Sequence, residues 1–317
     1  MKKRVLITGA AGNLGGLLAR YLLQDEVLLH LLVHRKDVKP ELKMQDNVNV
    51  FRADLAVRES LRDALDGVDT IVHFAGVLFK YNPEKFLKTT NTLYFKNLLD
   101  MAVQKGVKRV ILISFPHVEG ETTPENPAMG RLDGNPVSMH ARTRLEEERL
   151  LFEYGERRGF EPVALRVGMV YGKGILMIDA AHWFSRHALL GVWRKPTFIH
   201  LISTDDFLNA TRAAVMKERV HGIYHVGDEG VQTLQEFLDE ATKHWHTCGP
   251  WRMPLWMINM AARAFELFSW LFGVRSPLTI DFIRIGRVSY YGDTSRMREE
   301  LLPRLKYKNF REGLETL

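Results

Sequence analysis

Short apolar runs alternate with longer amphipathic stretches through the first half of the chain. Six runs predict β-strands: Arg4–Thr8, Leu28–Val33, Val48–Arg52, Thr70–Phe74, Arg109–Ser114 and Pro162–Val167. They are nearly continuous in Val, Ile and Leu, the pattern of strands covered on both faces. Helical spacing fills the intervals at Leu14–Leu23, Ser60–Leu65, Phe86–Gln104 and Thr143–Arg158. Strands alternating with helices predict a parallel sheet joined by right-handed crossovers, an α/β doubly wound fold. After about residue 168 the alternation becomes irregular, which predicts a smaller C-terminal lobe over the carboxyl edge of the sheet.

The most apolar stretch is Pro254–Phe272. A proline near its start and Gly273 just past its end predict one helix. Asn259, Arg263, Glu266 and Ser269 form a narrow polar stripe at helical spacing, which argues against a membrane span. Two readings stay open. The helix is buried in the lobe or at a subunit contact, or it lies on a membrane surface, anchored by residues such as Trp256, Phe268 and Trp270.

Composition narrows the class. Cys248 is the single cysteine, so an intramolecular disulfide is impossible and a reducing, cytoplasmic setting is expected. The net charge is +6, but its cations are scattered without an interleaved aromatic stripe, which argues against nucleic acid as partner. Lys2-Lys3-Arg4 leads directly into the first strand and not into a signal peptide's apolar segment. His244 and His246 have no third ligand nearby in sequence, so no metal site is expected.

Directly after the first strand stands Thr8-Gly9-Ala10-Ala11-Gly12-Asn13-Leu14-Gly15. Gly9 permits a tight turn, Gly12 lets backbone N–H groups approach a pyrophosphate, and Gly15 lets helix and strand pack closely. The opening helix adds unpaired donors and a favourable dipole for Asn13 and Leu14 to present. A dinucleotide site of Rossmann type is therefore expected. The second strand ends in His34-Arg35-Lys36, with no carboxylate at its tip, and guanidinium suits a 2′-phosphate. That favours NADP, while Asp37 keeps NAD open.

Further segments line up with one family. The chain resembles the extended short-chain dehydrogenase/reductases: epimerases, dehydratases, 3β-hydroxysteroid dehydrogenases and dihydroflavonol reductases. Thr8–Gly15 has the family's TGxxGxxG form, and Asp54-Leu55 is similar to its adenine-contacting pair. His73-Phe74-Ala75-Gly76 resembles its HxAG element, Asn91 its fourth-helix asparagine, and Arg166–Gly172, including Val167, its RPxxVYG. Ile202–Asp206 resembles its HVxD turn, and Ser276-Pro277-Leu278-Thr279 its steroid-dehydrogenase-like lobe. The resemblance spans the whole chain. It implies a Rossmann domain at 1–168 with a returning segment at 201–227, and a substrate lobe at 169–200 and 228–317. It also implies a homodimer through the Phe86–Gln104 and Thr143–Arg158 helices.

The departure from the family falls on its chemistry. Aligned on the family's Tyr-x-x-x-Lys, the helix reads His140-Ala141-Arg142-Thr143-Arg144. His140 takes the tyrosine position and Arg144 the lysine position, while Phe115 stands where the hydroxyl is usual, one residue after Ser114. Imidazole exchanges protons near neutrality, so His140 can serve as acid or base. Arg144 keeps a charge that can grip ribose but cannot itself lose a proton. His117 is a second candidate at the same sheet edge.

The expected activity is an atypical NADP-dependent oxidoreductase acting on a carbonyl or alcohol of a hydrophobic small molecule, with His140, Arg144 and Ser114 as catalytic residues. Two alternatives remain: an NADP-binding sensor or assembly partner without dehydrogenase activity, and an isomerase or cyclase using the same pocket.

Overall fold

The computed structural model describes residues 2–76, 82–273, 276 and 278–317. Each expected strand forms within one residue of its expected ends: β1 (Lys3–Thr8), β2 (Val27–Val33), β3 (Val48–Arg52), β4 (Thr70–His73), β5 (Arg109–Ser114) and β6 (Glu161–Val167). A seventh, β7 (Gly222–Val226), returns from beyond residue 168 to pair with β6. All neighbours are parallel and the order is β7-β6-β5-β4-β1-β2-β3. This is the doubly wound order, in which the chain reverses direction at β1 and leaves a crevice at the carboxyl ends of β1 and β4.

Alternation along β1 shows how both faces are covered. Val5 and Ile7 join one buried layer with Leu18 of α1 (Asn13–Tyr21) and Ala210, whereas Leu6 joins the other with Leu98 and Leu99 of α2 (Tyr94–Gln104). Leu151 of α3 (Met139–Arg158) completes the second layer. Two expected helices differ. Ser60–Leu65 becomes only a 3₁₀ turn over Arg58–Leu61, because the Ser60 hydroxyl bonds to the Asp54 and Val57 carbonyls. The start of Phe86–Gln104 forms a π turn over Lys88–Leu93 before α2 begins.

Beyond β6 the lobe is assembled from α4 (Leu176–Arg186), α6 (Leu234–His244) and three two-stranded pairs, while α5 (Thr204–Met216) returns to cover the sheet beside α1. One pair joins Gly191–Trp193 to Trp251–Met253 and leads into α7 (Leu255–Phe272) and α8 (Ile280–Gly286). Gly273 adopts φ +64 and ends α7, the stop its position predicted. Pro277 of the lobe motif lies outside the described residues. The tail then turns back over the sheet: Asp293 N donates to the Ala128 carbonyl at 2.9 Å, and α9 (Ser295–Glu300) lays Arg296 over the Tyr224 ring of β7 at 4.4 Å.

α7 is not buried in the lobe. Its buried residues are Ile258, Ala262 and Ser269, while Trp256 is 62 % and Trp270 66 % exposed. No helix among the described residues is long and apolar enough to cross a membrane.

Candidate active site

The glycine turn has the geometry its spacing requires. Gly9 has φ +71, and a Cβ on it would lie 3.0 Å from the Ala75 nitrogen. At Gly12 and Gly15 an added Cβ would meet the Gly9 carbonyl oxygen at 2.9 and 2.5 Å. Gly12 N donates to that oxygen at 2.8 Å, and Gly12 is the N-cap of α1 without a side-chain cap. The N–H groups of Asn13, Leu14 and Gly15 thus open the helix without intrahelical acceptors. A cradle that excludes Cβ atoms and ends in orphan donors fits a dinucleotide pyrophosphate. The Asn13 side chain serves another purpose: its amide donates to the Gly174 carbonyl at 2.7 Å and its oxygen accepts from Leu176 N at 3.2 Å, tying the lobe to the cradle.

Thr8 is fully buried, so its hydroxyl faces the protein. It accepts from Ala75 N at 3.3 Å and lies 2.8 Å from His73 Nδ1. Burial, with the Arg144 charge adding to it, lowers His73 to about 3, so the ring is neutral and shares a hydrogen bond with the Thr8 hydroxyl. That pair joins the ends of β1 and β4 and places Phe74, Ala75 and Gly76 beside the cradle.

At the tip of β2, His34, Arg35 and Lys36 are exposed. Asp37, the carboxylate that would favour NAD, is engaged by Lys43 at 2.5 Å and Arg52 at 3.5 Å, and the Lys43 bond holds it below the usual carboxylate range. The Asp54 carboxylate accepts from Ala56 N at 2.9 Å and shapes the turn carrying Leu55, whose carbonyl accepts from the Asn97 amide at 2.9 Å.

Ser138 caps α3, accepting from Ala141 N at 3.1 Å, and so fixes where the helix begins. His140, on its first turn, bonds through Nδ1 to the Asp281 carboxylate of α8. The two side chains are 12 % and 9 % exposed, so the couple sits mostly out of water. Asn91 is buried in the π turn and donates to Thr143 Oγ1 at 3.1 Å. Thr143 donates to the Met139 and His140 carbonyls, so Asn91 steadies the turn that bears His140.

One turn on, Arg144 Nη1 lies 2.7 Å from Glu147 Oε2, and a Cβ on Gly76 would meet Arg144 Nη2 at 3.0 Å. The guanidinium therefore lies against the backbone of the His73–Gly76 element. Burial lifts the Glu147 carboxyl to about 7 although Arg144 stands beside it.

Ser114, expected among the catalytic residues, is buried, and its hydroxyl donates to buried Glu148, which also takes Arg166 Nη2 at 2.6 Å and Nε at 3.1 Å. Arg166 reaches on to Glu119 and to the Arg131 carbonyl at 2.7 Å, making an ion network under the site. Val167, which follows in β6, is buried in the sheet. Phe115 packs its ring 4.9 Å from His117, and His117 lies 5.6 Å from Tyr290. His117 Nε2 is 3.1 Å from the Val288 carbonyl, and burial lowers the imidazole to about 4. It is a neutral ring in an aromatic stack.

Asp281, Glu147 and Glu148 were not among the expected site residues. The carboxylates at 147 and 148 carried a signal, since positions three and four beyond Arg144 share its helical face. Asp281 carried none, being 141 residues from His140.

Comparison with known proteins identifies the family. The family model of the NAD dependent epimerase/dehydratase family matches residues 5–195. An uncharacterized protein, y4nG, of Sinorhizobium fredii is 26 % identical over 99 % of this chain and 78 % of its own length. A uronate dehydrogenase of Pseudomonas putida is 30 % identical over 62 % of this chain and 71 % of its own. Among solved structures, DesIV, a dTDP-glucose 4,6-dehydratase from Streptomyces venezuelae with NAD bound, shares the fold with a TM-score of 0.78 at 19 % identity, covering 99 % of this chain and 95 % of the other. With that match across most of the Rossmann half, the chain belongs to the NAD dependent epimerase/dehydratase family, whose members are nicotinamide-dependent enzymes.

Proposed function

We propose that the protein is an NADP-dependent oxidoreductase in which a His140–Asp281 couple does the proton work of the family's tyrosine. The observation that carries this reading is the bond from His140 to a largely buried carboxylate at the tyrosine's helical position. A nicotinamide cofactor supplies hydride transfer when bound. Asp281 holds Nδ1 and fixes the ring, and the imidazole exchanges the proton with the substrate oxygen. Arg144, against Gly76 and beside Glu147, would hold ribose hydroxyls. NADP is favoured over NAD because Asp37 is engaged by Lys43 and Arg52 while Arg35 and Lys36 are exposed beside it.

A hydrophobic substrate suits the aromatic stack of Phe115, His117 and Tyr290 and the apolar lobe. The relatives' names favour a second reading, a sugar acid or sugar nucleotide. Absorbance assays with NADPH and NADH against lipophilic ketones, and with NADP+ and NAD+ against uronates, on wild type, His140→Ala and Asp281→Asn, decide between them. Turnover with NADPH and a lipophilic ketone that falls at least a hundredfold in His140→Ala is expected. Tight cofactor binding with no turnover on either panel would overturn the dehydrogenase reading in favour of a binding protein.

A further inference from the structure

α7 shows solvent the kind of surface a protein usually buries. The face opposite Ile258 and Ala262 carries Trp256, Met260, Leu267 and Leu271, each more than half exposed, in a continuous helical stripe. Phe268 and Phe272 widen it, with their rings 4.4 Å apart. This reverses the ordinary surface helix, whose polar side faces outward. The strand pair before α7 extends the patch: Trp251 is 63 % exposed and its indole donates to the Ala188 carbonyl at 3.0 Å, next to exposed Leu189. A continuous apolar surface of this kind marks an interaction site.

Charge indicates what covers it. From Trp183 to Lys195 and from Lys243 to Arg287, every exposed charged side chain among the described residues is a cation. Arg194, Lys195, Arg263, Arg284 and Arg287 are examples; Arg252 also belongs to the set and pairs with Asp239 of α6 at 2.5 Å. The carboxylates within these spans are engaged within the chain, Asp281 buried and Glu266 partly exposed. Asp281 meets His140, and Glu266 accepts from Ile280 N at 2.9 Å. A second copy of the chain on this face would set cation against cation. An anionic bilayer surface instead offers apolar depth to the stripe and negative headgroups to its rim, and tryptophan favours the headgroup level.

We propose that α7, with Trp251, lies flat in the surface of an anionic membrane. The inference does not depend on the reaction proposed above. It gives that site a setting, because Glu266 of α7 bonds to the residue next to Asp281, so the docked helix adjoins the partner of His140.

Vesicle flotation of the full chain tests it, using phosphatidylcholine alone and phosphatidylcholine containing one third phosphatidylserine. Two variants are compared with wild type: Trp256→Gln/Leu267→Gln/Leu271→Gln, and Arg263→Glu/Arg284→Glu/Arg287→Glu. All six side chains are exposed, and circular dichroism with thermal melts verifies the fold. Wild type is expected to float with the anionic vesicles and to be released by salt. The apolar variant should bind at least tenfold less, and the charge variant roughly fivefold less per cation removed. Unchanged flotation of the apolar variant, no flotation of wild type, or equal binding to both vesicle types would overturn the proposal. So would a dimer in analytical ultracentrifugation that the apolar variant dissolves, since the face would then belong to a second copy.

Discussion

Alanine at Gly15 tests the cofactor cradle at its tightest point. The new Cβ would lie 2.5 Å from the Gly9 carbonyl oxygen and 3.0 Å from its carbon, about 0.9 Å short of ordinary contact with the oxygen, and both are backbone atoms. Helix α1 must move away from the turn by a large part of that gap. Overpacking of this kind costs about 1–3 kcal/mol. The better helix propensity of alanine returns about 1 kcal/mol, so the fold loses about 2 kcal/mol at most. Binding loses more. The N–H groups at the start of α1 shift against the turn, and one charge-assisted hydrogen bond is worth about 1.5–3 kcal/mol, a roughly tenfold to hundredfold weaker Kd. Gly16→Ala is the control on the same turn, because its Cβ meets the Ala10 oxygen at 3.2 Å and a small adjustment suffices. Fluorescence titration with NADPH, beside thermal melts of each variant, measures both quantities. Gly16→Ala should bind within about threefold of wild type. The reasoning is refuted if Gly15→Ala, still folded, binds NADPH as wild type does, or if the two variants weaken binding equally.

Asp281→Asn keeps the shape but removes the carboxylate that orients the His140 ring; kcat should fall while KM for cofactor holds. A loss of folded protein with kcat per folded molecule unchanged would reduce Asp281 to a structural contact. Arg166→Met leaves Glu148 and Glu119 buried without their cation, so denaturant melts should show about 3–5 kcal/mol lost, with Glu148→Gln costing less because Glu119 still pairs Arg166. Asp228 is buried, and desolvation raises its carboxyl from 3.8 to about 8. The folded state therefore holds this proton more tightly than the unfolded chain, and the stabilisation is complete below pH 4 and lost as pH rises to 8, on the order of 1 kcal/mol per unit. Asp228→Asn should flatten that slope in urea melts between pH 5 and 8, and an unchanged slope would assign it to another group. Arg35→Glu is expected to weaken NADPH at least tenfold while leaving NADH nearly unchanged; equal losses for both cofactors would remove the 2′-phosphate argument.

Local physics made the first half of the chain legible. Strands buried on both faces must be apolar throughout, so their runs announced themselves to within a residue, and the order of strands and helices implied a parallel sheet. The glycine turn was legible for the same reason: at Gly9 a positive φ, and at Gly12 and Gly15 the closeness of backbone, leave no room for a side chain. His140 and Arg144 were picked out by the resemblance to the family's Tyr-x-x-x-Lys, and their four-residue spacing puts them on one helical face.

What the tertiary structure alone decided concerns partners brought from afar. Ser114 is one residue from its expected catalytic position, yet its hydroxyl is drawn to Glu148 because a buried carboxylate–guanidinium network must fill its hydrogen bonds from whatever lies near. Asp281 reaches His140 only because the lobe folds α8 back over the start of α3, and no periodicity encodes a contact between residues 141 apart. The apolar sequence of α7 determined that it would be a helix and that water is a poor neighbour for it. Whether that surface would be hidden depended on how many elements the lobe could lay against it, and the lobe covers one side.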